Sequence, residues 1–424
     1  MSQATVTSTS VGMPAATSVP DLTRYRGQAA VVRTGSAASV WAAFCRLDGV
    51  ATEVHLLDVD ATAPVPQGAA VLTDAGLGTV HAVVLPDAPA APEAVMGAGR
   101  PTRYPADPVG ASEPTRWVLY SSGTTGTPTP TRHTLASLAR TVRRDVRAEP
   151  FTWGLLYEPT RMAGVQVVLH AMLGGAGLVD ASGHEPLAQR VQALVDGGVD
   201  ALSATPTLWR LLLQTPAAAA LDLRQVTLGG ETADQKLLDA LSRAYPRARV
   251  THVFASTETG AAFSVGDGRA GFPRGYLEQA PGGVRLQVRD GILHVHAPDV
   301  PSAPADGWVS TGDLVEVADD RLHFRGRVGG VVNVGGVKVW PEQVEQVLRE
   351  HPAVADALVS SRSNPMSGSI LTAAVTTSLS DVPADLARQL RQHCAARVPA
   401  AAVPAVVRVV DVLPVTANGK LARR

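Results

Sequence analysis

Residues 117–128 read Trp-Val-Leu-Tyr-Ser-Ser-Gly-Thr-Thr-Gly-Thr-Pro. An apolar, strand-like run from Trp117 to Tyr120 gives way to seven residues, Ser121 to Thr127, that are all Ser, Thr or Gly. Such a loop has little bulk, two glycines free to take positive φ, and five hydroxyls. Its backbone N–H groups can converge on an anion while its hydroxyls donate to phosphate oxygens. Composition alone also fits a flexible polar linker. The abrupt strand-to-loop junction, and the motifs downstream of it, favour the phosphate-cradling loop.

A chain of 424 residues can bury a large core and divide into two or more domains. Its 37 basic and 38 acidic residues leave a net charge of −1, which argues against general affinity for nucleic acid or anionic membrane. A 45% hydrophobic and 18% charged composition fits a soluble globular enzyme. The two cysteines, Cys45 and Cys394, are too few for a disulfide framework or a cysteine zinc site, so a cytoplasmic location is the default expectation. Residues 1–20 are rich in Ser, Thr, Ala and Pro and have no basic cluster ahead of an apolar run, so they do not read as a signal peptide. Residues 1–25 are expected to be disordered. No uncharged apolar stretch is long enough to span a membrane.

Around the loop, residues 28–60 alternate apolar runs with short breaks, as β and α elements do, and Pro86 to Pro114 reads as a Pro/Ala/Gly-rich connector. Leu135 to Arg147 has helical spacing with an arginine-rich face, read as a solvated surface. Strand–loop–helix units follow: a helix at 187–195, a strand at 200–204, a helix ending at Leu213, a strand at 225–228, a helix at 234–244 and a strand at 249–254. This alternation predicts a mainly parallel sheet with helical crossovers, and ligands in such sheets sit beyond the carboxyl ends of the strands. The loops at 121–128, 229–231 and 255–260 fall at such ends.

After residue 265 the pattern becomes antiparallel. One hairpin turns at Asp290-Gly291 and a second at Asp319-Asp320. Gly329-Gly330 forms a candidate hinge. Beyond it come a helix at 341–350 with proline in its first turn, strands at 353–359 and 370–377, a helix at 383–396 and a strand at 405–412. The expected class is α/β. A large N-terminal domain (26–327) has mainly parallel sheets plus an antiparallel β subdomain. A hinge (328–330) leads to a small α+β C-terminal lid domain (331–424).

Five motifs occur in order. They are Tyr120-Ser-Ser-Gly-Thr-Thr-Gly-Thr-Pro128, Phe254-Ala-Ser-Thr-Glu-Thr-Gly260, Ser310-Thr-Gly-Asp313, Gly326-Arg327 with Gly335-Gly-Val-Lys-Val-Trp-Pro-Glu-Gln-Val-Glu345, and Pro414-Val-Thr-Ala-Asn-Gly-Lys420. Together they resemble the adenylate-forming superfamily: acyl-CoA synthetases, nonribosomal peptide adenylation domains and luciferases. The resemblance covers residues 117–424, and the first hundred residues match much less.

The resemblance implies ATP, Mg²⁺ and a small acid as reactants, with CoA, a carrier protein or an aryl amine as the acceptor. Activating an acid with ATP concentrates negative charge, so the site must supply cations and oriented dipoles. By resemblance Ser121, Ser122, Gly123, Thr124, Thr125 and Gly126 hold the β- and γ-phosphates. Glu258 holds Mg²⁺, and Thr257 bonds the α-phosphate. Gly229, Gly230 and Glu231 flank the adenine, and Phe254, Ala255 and Ser256 also bind the nucleotide. Asp313 accepts the ribose hydroxyls, and Arg327 supports ribose or phosphate. Lys420 is the catalytic lysine, carried in by rotation of the small, mobile domain. Tyr157, Arg161, Gly164 and Ser256 line the acid pocket, with Tyr157 stacking on an aryl group and Arg161 pairing with a carboxylate. The run Ala163-Gly164-Val165-Gln166 resembles short bacterial o-succinylbenzoate–CoA ligases.

The sequence departs from the family pattern at several positions. Thr129 stands where the phosphate loop carries a lysine, with Arg132 or His133 as candidate replacements, Gly329 replaces the charged hinge residue, and Asn333 replaces a lysine. Three readings follow. The chain is an AMP-forming ligase for a small, aromatic carboxylic acid passing the acyl group to CoA or another thiol. Alternatively it is a diazotase that adenylates nitrite for N–N bond formation with an aryl amine in natural-product biosynthesis, or a catalytically silent nucleotide-binding homologue.

Overall fold

The computed structural model describes residues 22, 25–61, 63, 69–73, 114–121, 129–142, 150–297, 300–301, 303–364, 368–377, 379, 381–416 and 419–422. The expected disorder of residues 1–25, apart from Leu22 and Tyr25, lies outside them. So do the connector before Pro114 and the loop 122–128. The elements below are those of the described residues.

The first sheet holds β1 (Ala29–Arg33), β2 (Glu53–Leu57), β3 (Ala70–Thr73), β4 (Arg116–Ser121) and β5 (Thr129–His133), in the order β3-β1-β2-β4-β5. Its pairs are parallel except β4 with β5. The opening motif therefore bridges an antiparallel hairpin: Ser121 on β4 faces Thr129 on β5. Helix α1 (Ala37–Leu47) covers this sheet through Phe44, whose ring lies 4.2 Å from that of Trp117. Trp117 is fully buried and donates its indole N–H to Asp48 Oδ1 at 2.8 Å, which satisfies its one polar atom.

The helix expected over 135–147 is much shorter. Thr134 and Ser137 form a reciprocal capping box that starts α2 (Leu135–Leu138), and the chain turns at Ala139 after a single turn of helix. Residues 143–149 lie outside the described residues.

The second sheet contains β6 (Thr152–Leu155), β7 (Gly177–Asp180), β8 (Ala201–Ala204), β9 (Gln225–Gly229), β10 (Arg249–Ser256) and β11 (Gly260–Val265), in the order β11-β10-β9-β8-β6-β7. All pairs are parallel except β10 with β11. The crossovers are α3 (Met162–Gly174), α4 (Leu187–Asp196), α5 (Pro206–Leu213) and α6 (Gln235–Ala244). Two of them start on strong caps. The Thr205 hydroxyl accepts from Leu208 N with proline next in sequence, and the Asp234 carboxylate accepts from Leu237 N. Each cap contributes about 1 kcal/mol and fixes where the preceding loop ends.

The third sheet is antiparallel, β12 (Phe272–Pro273), β13 (Arg285–Arg289), β14 (Ile292–His296), β15 (Trp308–Ala318) and β16 (Arg321–Arg327), in the order β12-β16-β15-β14-β13. Its hairpins turn where the sequence puts them. Asp290 and Gly291 take φ of 51° and 75°, and Asp319 takes 54°, the positive values that tight hairpin turns demand.

A 3₁₀ turn at Val328–Gly330 leads to the hairpin β17 (Val332–Val334) and β18 (Val337–Val339). Then come α7 (Pro341–Glu350), β19 (Val354–Asn364), β20 (Gly368–Thr377), α8 (Leu386–Ala395) and β21 (Val406–Val409). The buried cluster of this region runs from Val334 to Val407, whereas the other buried clusters use residues up to Leu322. The C-terminal region thus has its own apolar core, a mark of an independent unit.

Candidate active site

A cavity of 2480 Å³ opens where the carboxyl ends of β8 and β9 meet the third sheet and the C-terminal tail. The described candidates Ser121, Tyr157, Arg161, Gly229, Gly230, Glu231, Phe254, Ala255, Ser256, Thr257, Glu258, Asp313, Arg327 and Lys420 all line it; Gly164 does not. Ser122, Gly123, Thr124, Thr125 and Gly126 lie outside the described residues.

The turn carrying Thr257 and Glu258 joins β10 to β11. Ser256 closes it, its Oγ lying 3.0 Å from Thr259 Oγ1 and accepting from Thr259 N at 3.2 Å. Two donors hold it from outside. His133 Nε2 donates to Thr257 O at 2.7 Å, and Arg140 Nη2 donates to Thr259 O at 2.8 Å. Arg140 therefore has a structural partner rather than the solvated position expected of it.

Neither candidate replaces the missing loop lysine. His133 is buried and committed to Thr257, and Arg132 Nε pairs with Glu53 Oε2 at 2.7 Å. Glu53 also meets His55 Nε2 at 2.8 Å, and His55 Nδ1 meets the Tyr120 hydroxyl at 2.6 Å. Behind the turn, Phe254 stacks between Phe263 and Phe324, at 5.3 and 5.4 Å between ring centroids. Such contacts contribute roughly 0.5–1.5 kcal/mol each and lock the strand end.

The tail delivers Lys420. Thr416 N donates to Lys420 O at 2.7 Å, closing a turn that the bridge between Val415 and Leu421 extends. The turn is seated on the large lobe. The Thr205 hydroxyl that caps α5 also donates to Gly419 O, and Glu231 Oε1 accepts from Leu421 N at 3.2 Å while its Oε2 accepts from Thr207 N at 3.0 Å. Glu231, expected to flank the adenine, also grips the tail. The bare Cα of Gly230 makes room for Lys420: a Cβ there would lie 3.0 Å from Lys420 Cε, and φ is +80°. Gly229 keeps an open face, the nearest atom to such a Cβ being Val253 O at 3.8 Å.

Asp313 Oδ1 pairs with Arg327 Nε at 3.2 Å, and Arg327 Nη2 donates to Thr311 O at 2.8 Å. Burial pushes the Asp313 carboxyl above the usual carboxylate value; Arg327, the Thr311 hydroxyl and Lys420 pull it down, and Glu258 adds to the rise. Burial likewise holds the Lys420 ammonium below the ordinary lysine value. Glu231, Asp313 and Glu258 oppose that fall, and Arg327 adds to it. Three acids and two bases from distant parts of the chain thus feel one another in one cleft.

On the acid side the sequence expectations change most. Gly164 serves close packing: a Cβ on it would lie 2.2 Å from Glu158 O, so it lets α3 press against the preceding loop. The Arg161 guanidinium is engaged within the chain. Its Nε pairs with Glu158 Oε2 at 2.9 Å and its Nη1 donates to Tyr120 O at 3.0 Å. Tyr157 is 2% exposed and hydrogen-bonded to the Ser203 side chain; burial drives its hydroxyl far above the usual phenol value. The wall beyond it includes Trp153, Gln166 and His170, with the Trp153 and His170 rings 5.8 Å apart. Burial lowers His170 to about 4, so it stays neutral.

Residues 11–292 match the sequence profile of the AMP-binding enzymes, and residues 343–420 match that of the AMP-binding enzyme C-terminal domain. The chain belongs to the AMP-binding, adenylate-forming enzymes. Among its relatives is a probable 2-succinylbenzoate–CoA ligase of Mycobacterium tuberculosis, 29% identical over 323 residues, 72% of this chain and 82% of that protein. Another is the fatty acid–[acyl-carrier-protein] ligase ScoC of Streptomyces coeruleorubidus, 28% identical over 266 residues, 56% of this chain. That match spans about half of the relative, 51% of its length. Among solved structures, ATP-bound MatB from Rhodopseudomonas palustris shares the fold with a TM-score of 0.66, at 20% identity over 93% of this chain and 87% of that one.

An adenylate-forming enzyme must hold ATP, and the residues present fit it and a Mg²⁺ ion beside it. Gly229 offers open backbone, while Asp313 and Arg327 stand at the rim of the same cavity. Glu258 exposes its carboxylate to the cavity, and among the described residues no group of three or more His, Cys, Asp or Glu could hold a metal by itself. One carboxylate plus phosphate oxygens is the donor set Mg²⁺ accepts. Sequence reading missed His133 as the holder of Thr257, and it missed Arg140, Thr205 and Lys236. All four act on backbone carbonyls more than a hundred residues away in sequence, a relation that leaves no local pattern.

Among the described residues no helix is long and apolar enough to cross a membrane.

Proposed function

We propose that this chain activates a small carboxylic acid, aromatic in its first-choice substrates, by adenylation, and passes the acyl group to CoA or another thiol. A carboxylate oxygen attacks the α-phosphorus of ATP, the bond to the bridging oxygen breaks, and pyrophosphate departs with that electron pair. The acceptor thiolate then attacks the acyl carbon, the thioester forms, and AMP leaves with the electron pair of the broken C–O bond. The observation that carries this reading is Lys420, seated against Gly230 in the cavity that Glu258, Asp313 and Arg327 also line.

In this reading residues 26–327 form the body and residues 331–424 a lid turning about 328–330. Lys420 Nζ donates to the oxygens that carry charge between acid and α-phosphate, in a site where burial makes each such contact stronger than in water. Asp313 accepts from the ribose, and Thr257 donates to the α-phosphate. Bound Mg²⁺ on Glu258 would neutralise charge on the leaving phosphates. Because burial lowers the Lys420 pKa, the charged, active form is lost at lower pH than for an ordinary lysine, so adenylation should fall off on the alkaline side earlier than 10.5.

An aromatic acid is favoured by the name of the Mycobacterium relative and by the aromatic wall of Trp153 and Phe254. The test is pyrophosphate release from ATP and Mg²⁺ with a panel of aryl and alkyl acids, and with nitrite plus aryl amines. Release with aryl acids supports the proposal. Release only with nitrite makes the chain a diazotase. AMP binding without release from any acid makes it a silent homologue.

A further inference from the structure

The segment 231–236 of the large lobe touches the C-terminal region at three places. Glu231 holds the tail at Leu421, as described above. Asp234 Oδ2 takes Arg349 Nε at 3.0 Å and also the Nη2 of Arg210; Asp356 Oδ1 faces Arg349 Nη1 at 3.4 Å and Arg210 Nη1 at 3.8 Å. Each lobe thus contributes one guanidinium and one carboxylate to a crossed quartet, all four side chains 12% exposed or less.

Lys236 makes the third contact. Its Nζ donates to Arg349 O at 3.1 Å, His351 O at 3.1 Å and Val354 O at 2.7 Å. These carbonyls lie at and just beyond the C-terminus of α7, where helix carbonyls lack intrahelical partners and the helix dipole is negative. A compact ammonium with three donors on one nitrogen suits three converging carbonyls; a planar guanidinium does not. The residue choice stands out against composition, since the chain has 34 arginines and only 3 lysines: Lys236, Lys338 and Lys420.

We propose that Lys236, with the Arg210–Asp234–Arg349–Asp356 quartet, is a latch that positions the lid so that Lys420 reaches the reacting phosphate. These are positioning residues, acting through Lys420, and the proposal rests on the catalytic reading of Lys420 given above. The segment that begins at the tail with Glu231 ends at the lid helix with Lys236, so these six residues set both the tail and the lid. Releasing the latch frees the lid to turn.

The three lysines make a direct test, because the third, Lys338, is exposed and serves as an internal reference. The full chain and its Lys236→Met and Asp234→Asn variants, each checked for an unchanged fold by circular dichroism, are treated with a bulky N-hydroxysuccinimide ester in the absence of any acid. Mass spectrometry follows modification of Lys420 against Lys338. The latch predicts that Lys420 reacts about 10-fold faster relative to Lys338 in the variants. It also predicts that the kcat of ATP–pyrophosphate exchange falls about 10-fold while KM for ATP stays within about twofold. Unchanged Lys420 protection in both folded variants overturns the latch. Raised Lys420 reactivity with unchanged kcat overturns its role in positioning. If the wild-type chain exchanges with no acid, the adenylation reading fails, and the labelling arm alone still decides whether the latch exists.

Discussion

The two sides of the cleft use the same chemistry to different ends. On the large lobe, side-chain donors fix the carbonyls of the motif loops: His133 on Thr257, Arg140 on Thr259 and Arg161 on Tyr120. Across the gap, Lys236 and Thr205 fix carbonyls of the lid and tail in the same manner. In the first set donor and acceptor belong to one lobe, so the geometry persists whatever the lid does. In the second set they belong to units whose apolar clusters do not merge, and these attachments are polar. On the proposed reading, the first set shapes the site before ATP arrives and the second holds the cation that the lid would carry in.

The largest effect expected from breaking the fixed wall is at His133. His133→Phe keeps an aromatic ring and removes the donor to Thr257 O. Adenylation kcat should drop roughly 10- to 100-fold, since small misplacements of reacting groups are costly. A rate within twofold of wild type, measured by pyrophosphate exchange, would show that the turn stands without this clamp.

Arg161 sharpens the comparison on the acid side. Engaged with Glu158 and Tyr120, it belongs to the wall, so Arg161→Leu should lower unfolding stability by about 2 kcal/mol in urea titrations while leaving KM for the accepted acid within about threefold. A large rise in KM with unchanged stability would return this guanidinium to the substrate.

A pH-dependent effect is expected at His170. Burial lowers its pKa from 6.5 to about 4, so the native chain keeps it neutral while the unfolded chain takes up a proton as pH falls through 6.5. Its contribution to stability is therefore full above pH 6.5 and lost progressively toward pH 4, by up to about 3 kcal/mol. His170→Leu should flatten the acid side of the Tm–pH curve. Superimposable curves for the two chains would show that His170 is not held uncharged.

Most of the fold was legible because its signals are local. The strand–helix alternation from 187 to 256 and the turns at Asp290-Gly291 and Asp319-Asp320 each depend on a few adjacent residues, and the structure places them within a residue or two of where they read. The failure at 135–147 is instructive. Apolar spacing suggested a long helix, but the capping box at Thr134 starts a single turn, and Arg140 beyond it reaches across to Thr259.

The site followed the same division. Motif order placed the strand-end residues around one cavity, because strand ends in a parallel sheet converge wherever crossovers bring them. What was illegible was long-range. Glu231, expected beside the adenine, holds Leu421 nearly two hundred residues on, and Lys236, which belongs to no motif, holds carbonyls beyond residue 348.

Pyrophosphate exchange by Lys420→Ala, with an acid the wild-type chain accepts, is the most direct measurement. The account predicts a kcat lower by on the order of 10³-fold with the Kd for ATP within about threefold. Wild-type exchange from the alanine variant would contradict it, because the tail's docking against Gly230 would then serve no chemistry.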